Sequence, residues 1–210
     1  MSLPRVHDYS TLNPANLDGP RTSPAPTVII RAEISRLTLK MWDALQRLNE
    51  LPPAEAAAEL LACCGSTRWA VGVAGQRPFR DAAELYERAD QVWWRLDAED
   101  WLEAFRSHPR IGESKAARET GEDARRWSRD EQGGTGDAAR ATLDELAAAN
   151  REYEQRFGFI FIVCATGKSA GEMLSILRAR LGHDEARELR VAAEEQRKIT
   201  RLRLEKLLNA

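Results

Sequence analysis

Histidine and cysteine are scarce in this chain of 210 residues, which contains three of each. Because two of the three cysteines are neighbours, Cys63 and Cys64, they cannot form the disulfide framework of a small secreted protein, and they are typical of a reducing compartment. The histidines lie far apart, so a zinc site built mainly from histidine and cysteine is not predicted. If an imidazole performs acid–base chemistry near neutral pH, the candidates are His7, His108 and His183.

An excess of charge and a long hydrophobic run are also missing. Lys and Arg number 31 against 33 Asp and Glu, which gives a formal net charge of −2. Nucleic-acid-binding proteins usually show a basic balance or a basic stripe, and this chain shows neither. The longest uncharged apolar run, Phe157 to Thr166, is about half as long as a membrane-spanning helix, and the N-terminus has no secretory signal pattern. We therefore expect a cytoplasmic protein that binds neither nucleic acid nor a membrane.

Proline is concentrated at the N-terminus, where residues 1–26 contain five of the nine prolines. This stretch has no hydrophobic period and too little apolar surface to offset the entropy lost on ordering it. From about residue 31 the composition changes to Ala, Leu, Glu and Arg at helical spacing. The sequence therefore predicts a flexible leader over residues 1–30 and one domain over residues 31–210.

Apolar residues at helical spacing predict helices through nearly all of this domain. A first helix carries Leu37, Met41, Leu45 and Leu48 on one face, and the prolines at 52 and 53 end it and start the next. Further helices are predicted around residues 85–96, from the N-cap Asp97 through Phe105, over 114–132, around 143–153, and over 171–181 and 184–208.

The exception is the segment Phe159–Ala165, which is short, aromatic and β-branched. A single strand cannot form a sheet and no partner strand is predicted, so we expect an extended strip that packs against helices. The predicted fold class is all-α, a single compact multi-helix domain with a flexible N-terminal tail.

His108 has the most constrained setting of the three histidines, because Pro109 follows it. Proline disfavours the helical conformation of the preceding residue, so a helix is predicted to end near Ser107 with His108 extended at a helix-to-loop junction. Such a backbone would aim the ring at a site. The alternative is a loop histidine that merely packs against its neighbours. For His183, at a helix junction, a capping or surface role is expected.

Two other groups of polar residues are candidates for a site. Ser128, Glu131 and Gln132 share one helix face, which could bind a polar heterocycle or could simply be solvated. The second group interrupts an apolar stripe on the last helix, where Arg203 either reaches solvent or faces a polar cavity that holds an anion. This stripe consists of Leu189, Ala192, Gln196, Ile199, Arg203 and Leu207.

Several short motifs follow one another along the chain. They are Leu48-Asn49, Cys63–Trp69, Arg77–Phe79, Ala104-Phe105, His108–Gly112, Ser128–Gln132, Asn150 with Tyr153, Phe157–Phe159, Phe161–Ala165, Lys198–Thr200 and Leu202–Leu204. In this order they resemble the OHCU decarboxylases, the 2-oxo-4-hydroxy-4-carboxy-5-ureidoimidazoline decarboxylases of urate breakdown. Each motif is weak by itself, but their joint order over about residues 33–208 is specific.

The resemblance implies an all-helical lyase without a metal or organic cofactor, which releases CO₂ from OHCU and forms (S)-allantoin. It also implies that His108, Glu131 and Arg203 are catalytic and that Pro109 contacts the substrate. The other substrate contacts that it implies are Ser128, Gln132 and the strip residues Phe161, Ile162, Val163, Cys164 and Ala165. Because members of the family are often dimeric, a homodimer is expected.

The chemistry of this reaction suits the residues. Loss of CO₂ leaves electron density that the ring carbonyl of the substrate can hold as an enolate, so no electron-sink cofactor is required. Donors aimed at the developing oxyanion are required, and Arg203 and backbone N–H groups of residues 161–165 could supply them. Glu131 near His108 is expected to raise the imidazole pKa and keep a proton available near neutral pH.

Two other functions are compatible with the composition. One is a helical protein–protein interaction module, for which charged helices rich in Ala, Glu and Arg are common. The other is a metal-dependent ureide hydrolase, which would need clustered histidines and carboxylates. A scaffold has no need for Arg203 on an apolar stripe or for His108 before a proline, so these two residues separate the enzyme from the interaction module.

Overall fold

The computed structural model describes residues 39–109 and 135–210, which belong to one compact unit, Leu39–Ala210. Every regular element in these two ranges is an α-helix, and neither range contains a strand, so the predicted all-α fold class is confirmed. The helices are α1 (residues 39–50), α2 (Pro53–Cys64), α3 (Thr67–Ala74), α4 (Ala82–Trp93), α5 (Ala98–Arg106), α6 (Thr135–Phe157), α7 (Ala170–Arg180) and α8 (Glu185–Asn209).

The helix boundaries follow from local sequence signals. α2 begins at Pro53, as predicted, because proline is compatible with the first turn of a helix. Asp97 is the N-cap of α5, also as predicted, and Asp184 accepts a backbone hydrogen bond at the start of α8. α5 ends at Arg106, next to the predicted end, and both α7 and α8 begin and end within one residue of the predicted bounds.

Two hydrophobic clusters form the core. The larger cluster joins α1–α5 to α8 and includes the fully buried side chains of Trp69, Trp93 and Phe105. Its contacts are partly polar, since the indole N–H of Trp93 donates to the Ala193 carbonyl at 3.0 Å and so connects α4 to α8. The smaller cluster lies between α6 and α7 and includes Tyr153.

The buried face of α8 differs from the predicted stripe. Its fully buried residues are Glu188, Ala192, Ala193, Gln196, Thr200, Leu204 and Leu208. Only two members of the predicted stripe are among them, and the other members are half-buried. The predicted buried face is rotated around the helix axis relative to the observed one, because the observed face includes the polar residues Glu188 and Thr200. Polar side chains can be buried when they have hydrogen-bond partners, and a search for hydrophobic residues does not find them.

The strip over residues 160–165 is neither helix nor strand, which confirms the predicted extended segment. It runs between the two clusters. Phe161 and Val163 belong to the smaller cluster, and Ile162 belongs to the larger one. This alternation is that of an extended backbone, in which successive side chains point to opposite sides.

Some predicted features lie outside the described residues. They are the flexible leader over residues 1–30 and the helix over residues 114–132, which contains Ser128, Glu131 and Gln132. Their structure stays a prediction, as does the domain boundary near residue 31. In the two described ranges, no helix is both long and apolar enough to cross a membrane.

Candidate active site

The C-terminal end of α2 is held by two polar side chains of α8. A guanidinium N–H of Arg203 donates to the carbonyl of Cys63 at 3.3 Å, and the amide Nε2 of Gln196 donates to the carbonyl of Cys64 at 3.3 Å. Carbonyl groups at a helix C-terminus carry partial negative charge and lack partners within the helix, so these donors complement them. The two polar residues that interrupt the predicted stripe therefore meet at the same helix end.

Gly65, the residue that directly follows α2, lets the end of α5 pack close to the end of α2. Gly65 has φ = 85°, in the left-handed region that favours glycine. A Cβ atom on Gly65 would lie 2.1 Å from the hydroxyl oxygen of Ser107, a separation at which atoms clash. Only glycine therefore permits the end of α2 to pack so closely against the end of α5, where His108 follows.

His108 lies at the helix-to-loop junction that the sequence predicts. Its backbone N–H donates to the Phe105 carbonyl at 3.1 Å, and the hydroxyl of Ser107 donates to the Ala104 carbonyl at 2.7 Å. The ring is half-buried, and its Nε2 atom is fully buried without a hydrogen-bond partner in the part of the chain that the structure describes. Oε1 of Gln196 is also fully buried and has no hydrogen-bond partner among the described residues.

A cavity of about 480 Å³ opens beside this histidine. Its described lining residues are Leu102, Phe105, Arg106, His108, Pro109, Glu154, Gly158, Phe159 and Ile160. The wall is thus formed by the end of α5, by α6 and by the start of the strip. Its volume suits a small polar molecule.

The pKa of the His108 imidazole is below its ordinary value of 6.5. Burial is the main cause, because a less polar environment disfavours the charged ring. The positive charge of Arg203 lowers the pKa further, while the Gln196 side chain opposes the shift. The expected raised pKa depends on Glu131, which lies outside the described residues, so it stays a prediction; the described environment by itself lowers the pKa.

This lowered pKa predicts how stability depends on pH. Between the folded and the unfolded pKa values of His108, the unfolded chain binds more protons, so the free energy of unfolding must rise with pH and fall as pH drops below about 6.5. Urea unfolding of the parent protein and of the variant His108→Asn at several pH values between 5 and 8 checks this prediction. The free energy of unfolding of the variant should depend less steeply on pH than that of the parent. A variant with the same slope as the parent would contradict the prediction.

Part of the strip backbone is already hydrogen-bonded within the protein. The N–H of Cys164 donates to the Glu195 carboxylate at 2.8 Å, and the carbonyl of Cys164 accepts from the Lys168 ammonium at 2.7 Å. The N–H groups of residues 161–163 have no hydrogen-bond partner within the described ranges. Of the strip N–H groups expected to bind substrate, that of Cys164 is thus already engaged, and residues 161–163 are buried and are not among the cavity-lining residues that the structure describes.

A buried polar cluster around Glu188 also contacts the strip. The Arg180 guanidinium donates to the carbonyl of Ile162 at 2.8 Å and pairs with the Glu188 carboxylate at 2.5 Å. Glu188 is fully buried, and it also accepts a hydrogen bond from the hydroxyl of Tyr153. Nδ1 of His183 lies 2.7 Å from this carboxylate, so the expected capping or surface role for His183 is wrong.

The structure therefore brings together only part of the predicted site. Arg203 binds the end of α2 and acts electrostatically on His108, while His108 and Pro109 line the cavity, Pro109 with an exposed side chain. Ala165 is exposed and Cys164 is half-buried at the end of the strip. Sequence reasoning noted Gln196 only as a polar interruption and missed the cluster around Glu188 entirely, because its members are far apart in the sequence and lack a motif.

The cysteines behave as core residues. Cys63 and Cys64 are buried, and burial raises the pKa of their thiols to about 11 and about 12. Protonated thiols are poor nucleophiles, so the role of this pair is to pack in the core. In the described ranges, no group of three or more His, Cys, Asp or Glu residues is arranged to hold a metal ion.

Comparison with known proteins gives one consistent result. Residues 49–205 match the family model described as OHCU decarboxylase. The uric acid degradation bifunctional protein TTL of Arabidopsis thaliana is 37% identical over 148 residues, or 70% of this chain and 45% of that protein. The 2-oxo-4-hydroxy-4-carboxy-5-ureidoimidazoline decarboxylase of Amia calva is 41% identical over 73 residues, or 35% of this chain and 39% of that protein. This chain thus spans less than half of either relative.

One solved structure is similar over nearly its whole length. It is a crystal structure of OHCU decarboxylase in the presence of (S)-allantoin, with 35% sequence identity and a TM-score of 0.58. The match covers 72% of this chain and 98% of that one. The range matched by the family model, residues 49–205, includes both His108 and Arg203.

Proposed function

Because the chain belongs to the OHCU decarboxylase family, we propose that it releases CO₂ from OHCU and forms (S)-allantoin in urate degradation. The observation that carries this proposal is the position of His108, in the wall of a 480 Å³ cavity and within the electrostatic influence of Arg203. A similar protein solved in the presence of (S)-allantoin supports the same substrate class.

His108 would serve as the proton donor after the substrate has bound. Because its pKa lies below 6.5, the ring is mostly neutral at neutral pH before substrate binds. The substrate carries a carboxylate, and a negative charge close to an imidazole raises its pKa. Substrate binding would therefore charge the ring, and the leaving of CO₂ would turn a nearby carbon into the proton acceptor.

Arg203 would stabilise the negative charge that moves to the ring carbonyl. The guanidinium makes no ion pair with any residue of the described ranges, so its charge is not neutralised there. A cation that touched only the departing carboxylate would stabilise the reactant more than the transition state and would slow the step. We therefore place Arg203 on the ring oxygen or between both groups, with N–H groups of Phe161, Ile162 and Val163 as further donors.

The remaining assignments are part of the same proposal. Glu131 would act with His108, and Ser128, Gln132, Pro109, Cys164 and Ala165 would contact the substrate. The reaction needs no metal or organic cofactor, because the carbonyl of the substrate accepts the electron pair. We also propose a homodimer in the cytoplasm, and sedimentation analysis of the purified protein tests its oligomeric state.

The activity is tested by generating OHCU from urate with the two preceding enzymes and following circular dichroism. OHCU that decays unaided should give racemic allantoin, so an active decarboxylase should produce a growing signal of one enantiomer. A racemic product at high protein concentration would refute the proposal. A mixture without this protein is the control for the spontaneous reaction.

A further inference from the structure

The amide of Gln196 has a fixed orientation and an unused oxygen. The side chain is fully buried on α8, and its Nε2 donates to the Cys64 carbonyl and to the Thr200 hydroxyl, both at 3.3 Å. A flipped amide would place its oxygen against the Cys64 carbonyl, where two acceptors repel each other. The oxygen therefore points away from these partners, and it has no hydrogen-bond partner in the described ranges.

The ring of His108 also contains a buried polar atom without a hydrogen-bond partner among the described residues. Its Nε2 is fully buried and has no hydrogen-bond partner in the same ranges. The two side chains lie at the same helix end, because Gln196 binds the Cys64 carbonyl and the next residue, Gly65, packs closely against Ser107, which precedes His108. An amide oxygen only accepts hydrogen bonds, whereas a ring nitrogen that carries a proton donates one. Buried polar atoms rarely stay unpaired, so these two atoms are natural partners.

We propose that Gln196 is a positioning residue for His108, whose Nε2–H donates to Oε1 of Gln196. The neutral ring is thereby held in the tautomer with the proton on Nε2, which leaves Nδ1 to exchange a proton with the substrate. Hydrogen bonds in catalytic sites often tighten only when substrate binds, so the contact closes fully during turnover. The kinetic part of this inference rests on the proposed decarboxylase function; the tautomer does not.

A pH-dependent test of this contact must take into account the titratable and charged groups around His108. They are Arg203 on α8, Cys63 and Cys64 on α2, Arg106 on α5 and Glu154 on α6. The arginines stay charged, and the two thiols stay protonated at neutral pH. Glu154 is the one carboxyl group among the described residues of the cavity wall, and a change at Gln196 leaves it in place.

The first experiment reads the tautomer without substrate. Nitrogen-15 NMR of the labelled full-length protein at pH 8 distinguishes the protonated from the unprotonated ring nitrogen, and loss of signals in His108→Asn assigns the ring. We expect the Nε2–H tautomer in the parent and a mixture or a switch to Nδ1–H in Gln196→Met, which has a similar shape without the acceptor. The same tautomer in both proteins would overturn the proposal.

The second experiment separates positioning from stability. Gln196→Met should lower kcat by about 10²-fold, the scale of general acid–base catalysis, with KM changed less than about threefold. Gln196→Glu should move the pH midpoint of kcat upward, because a carboxylate beside the ring favours its charged form. A thermal melt of each variant accompanies the kinetics, and Gln91→Met, at a half-buried glutamine of α4 that pairs with Glu87, is the control.

The outcomes distinguish the two proposals. If the Gln196 variants changed only the melting temperature, and kcat and its pH midpoint stayed the same, Gln196 would have a purely structural role. This result would refute the proposal that Gln196 positions His108. A parent protein without decarboxylase activity, in which Gln196→Met still changes the tautomer of His108, would refute the proposed function and retain the contact between the two residues.

Discussion

Replacing His108 by asparagine is expected to lower kcat for OHCU decarboxylation by about 10²–10⁴-fold while the protein stays folded. The ring is half-buried at the end of α5 and belongs to neither hydrophobic cluster, so its replacement should leave the core intact. Asparagine is also a common residue in turns and loops such as the one that follows α5. The chirality assay measures the loss, and far-ultraviolet circular dichroism checks the helical content.

His7→Asn is the matched control for this substitution. His7 lies outside residues 49–205, which match the family model, so its replacement should leave kcat unchanged. The comparison tests whether the imidazole at 108 has a chemical role. If His108→Asn retained more than about a tenth of the parental kcat, the assignment of His108 as the proton donor would be wrong.

Replacing Arg180 by methionine is expected to lower the free energy of unfolding by about 3–5 kcal/mol. Arg180 and Glu188 are buried together, with side-chain exposures of 6% and 0%. Removing the cation leaves a carboxylate in the interior without its main partner, and it also removes the hydrogen bond to the Ile162 carbonyl that supports the strip. Urea unfolding at pH 7.5 measures the change.

The same helix provides a control two residues away. Arg178 pairs with Glu145 at 2.7 Å, but both side chains are more than half exposed, so Arg178→Met should cost less than about 1 kcal/mol. The double variant Arg180→Met with Glu188→Leu should recover part of the lost stability, because it removes the unpaired charge as well. Equal losses for Arg178→Met and Arg180→Met would contradict the role of burial.

The site could be predicted in part because some of its constraints are local. A proline after His108 determines where α5 ends, and the order of short motifs along the chain indicates the family. Its electrostatics could not be predicted in this way. The pKa of the imidazole is lowered by burial and by Arg203, which lies 95 positions further along the chain and reaches the ring only through packing of α8 against the end of α2.

The cluster around Glu188 shows the same limit for the fold. Tyr153, Arg180 and His183 come from α6, α7 and the turn before α8, and no spacing rule connects them. Because they are polar, they also lie outside the apolar pattern from which a core is predicted. Their burial is possible only since each polar atom of the group finds a partner in the folded chain.

The amino-acid sequence alone therefore determined the helical fold class, most helix boundaries, the extended strip and the family, because these depend on periodicity, capping residues and motif order within short segments. Only the tertiary structure decided which side chains share an environment. It placed Gln196 and Arg203 on one helix end, turned α8 so that Glu188 is buried, and lowered the pKa of His108. Burial and long-range contacts control these properties, and both arise only when distant segments pack together.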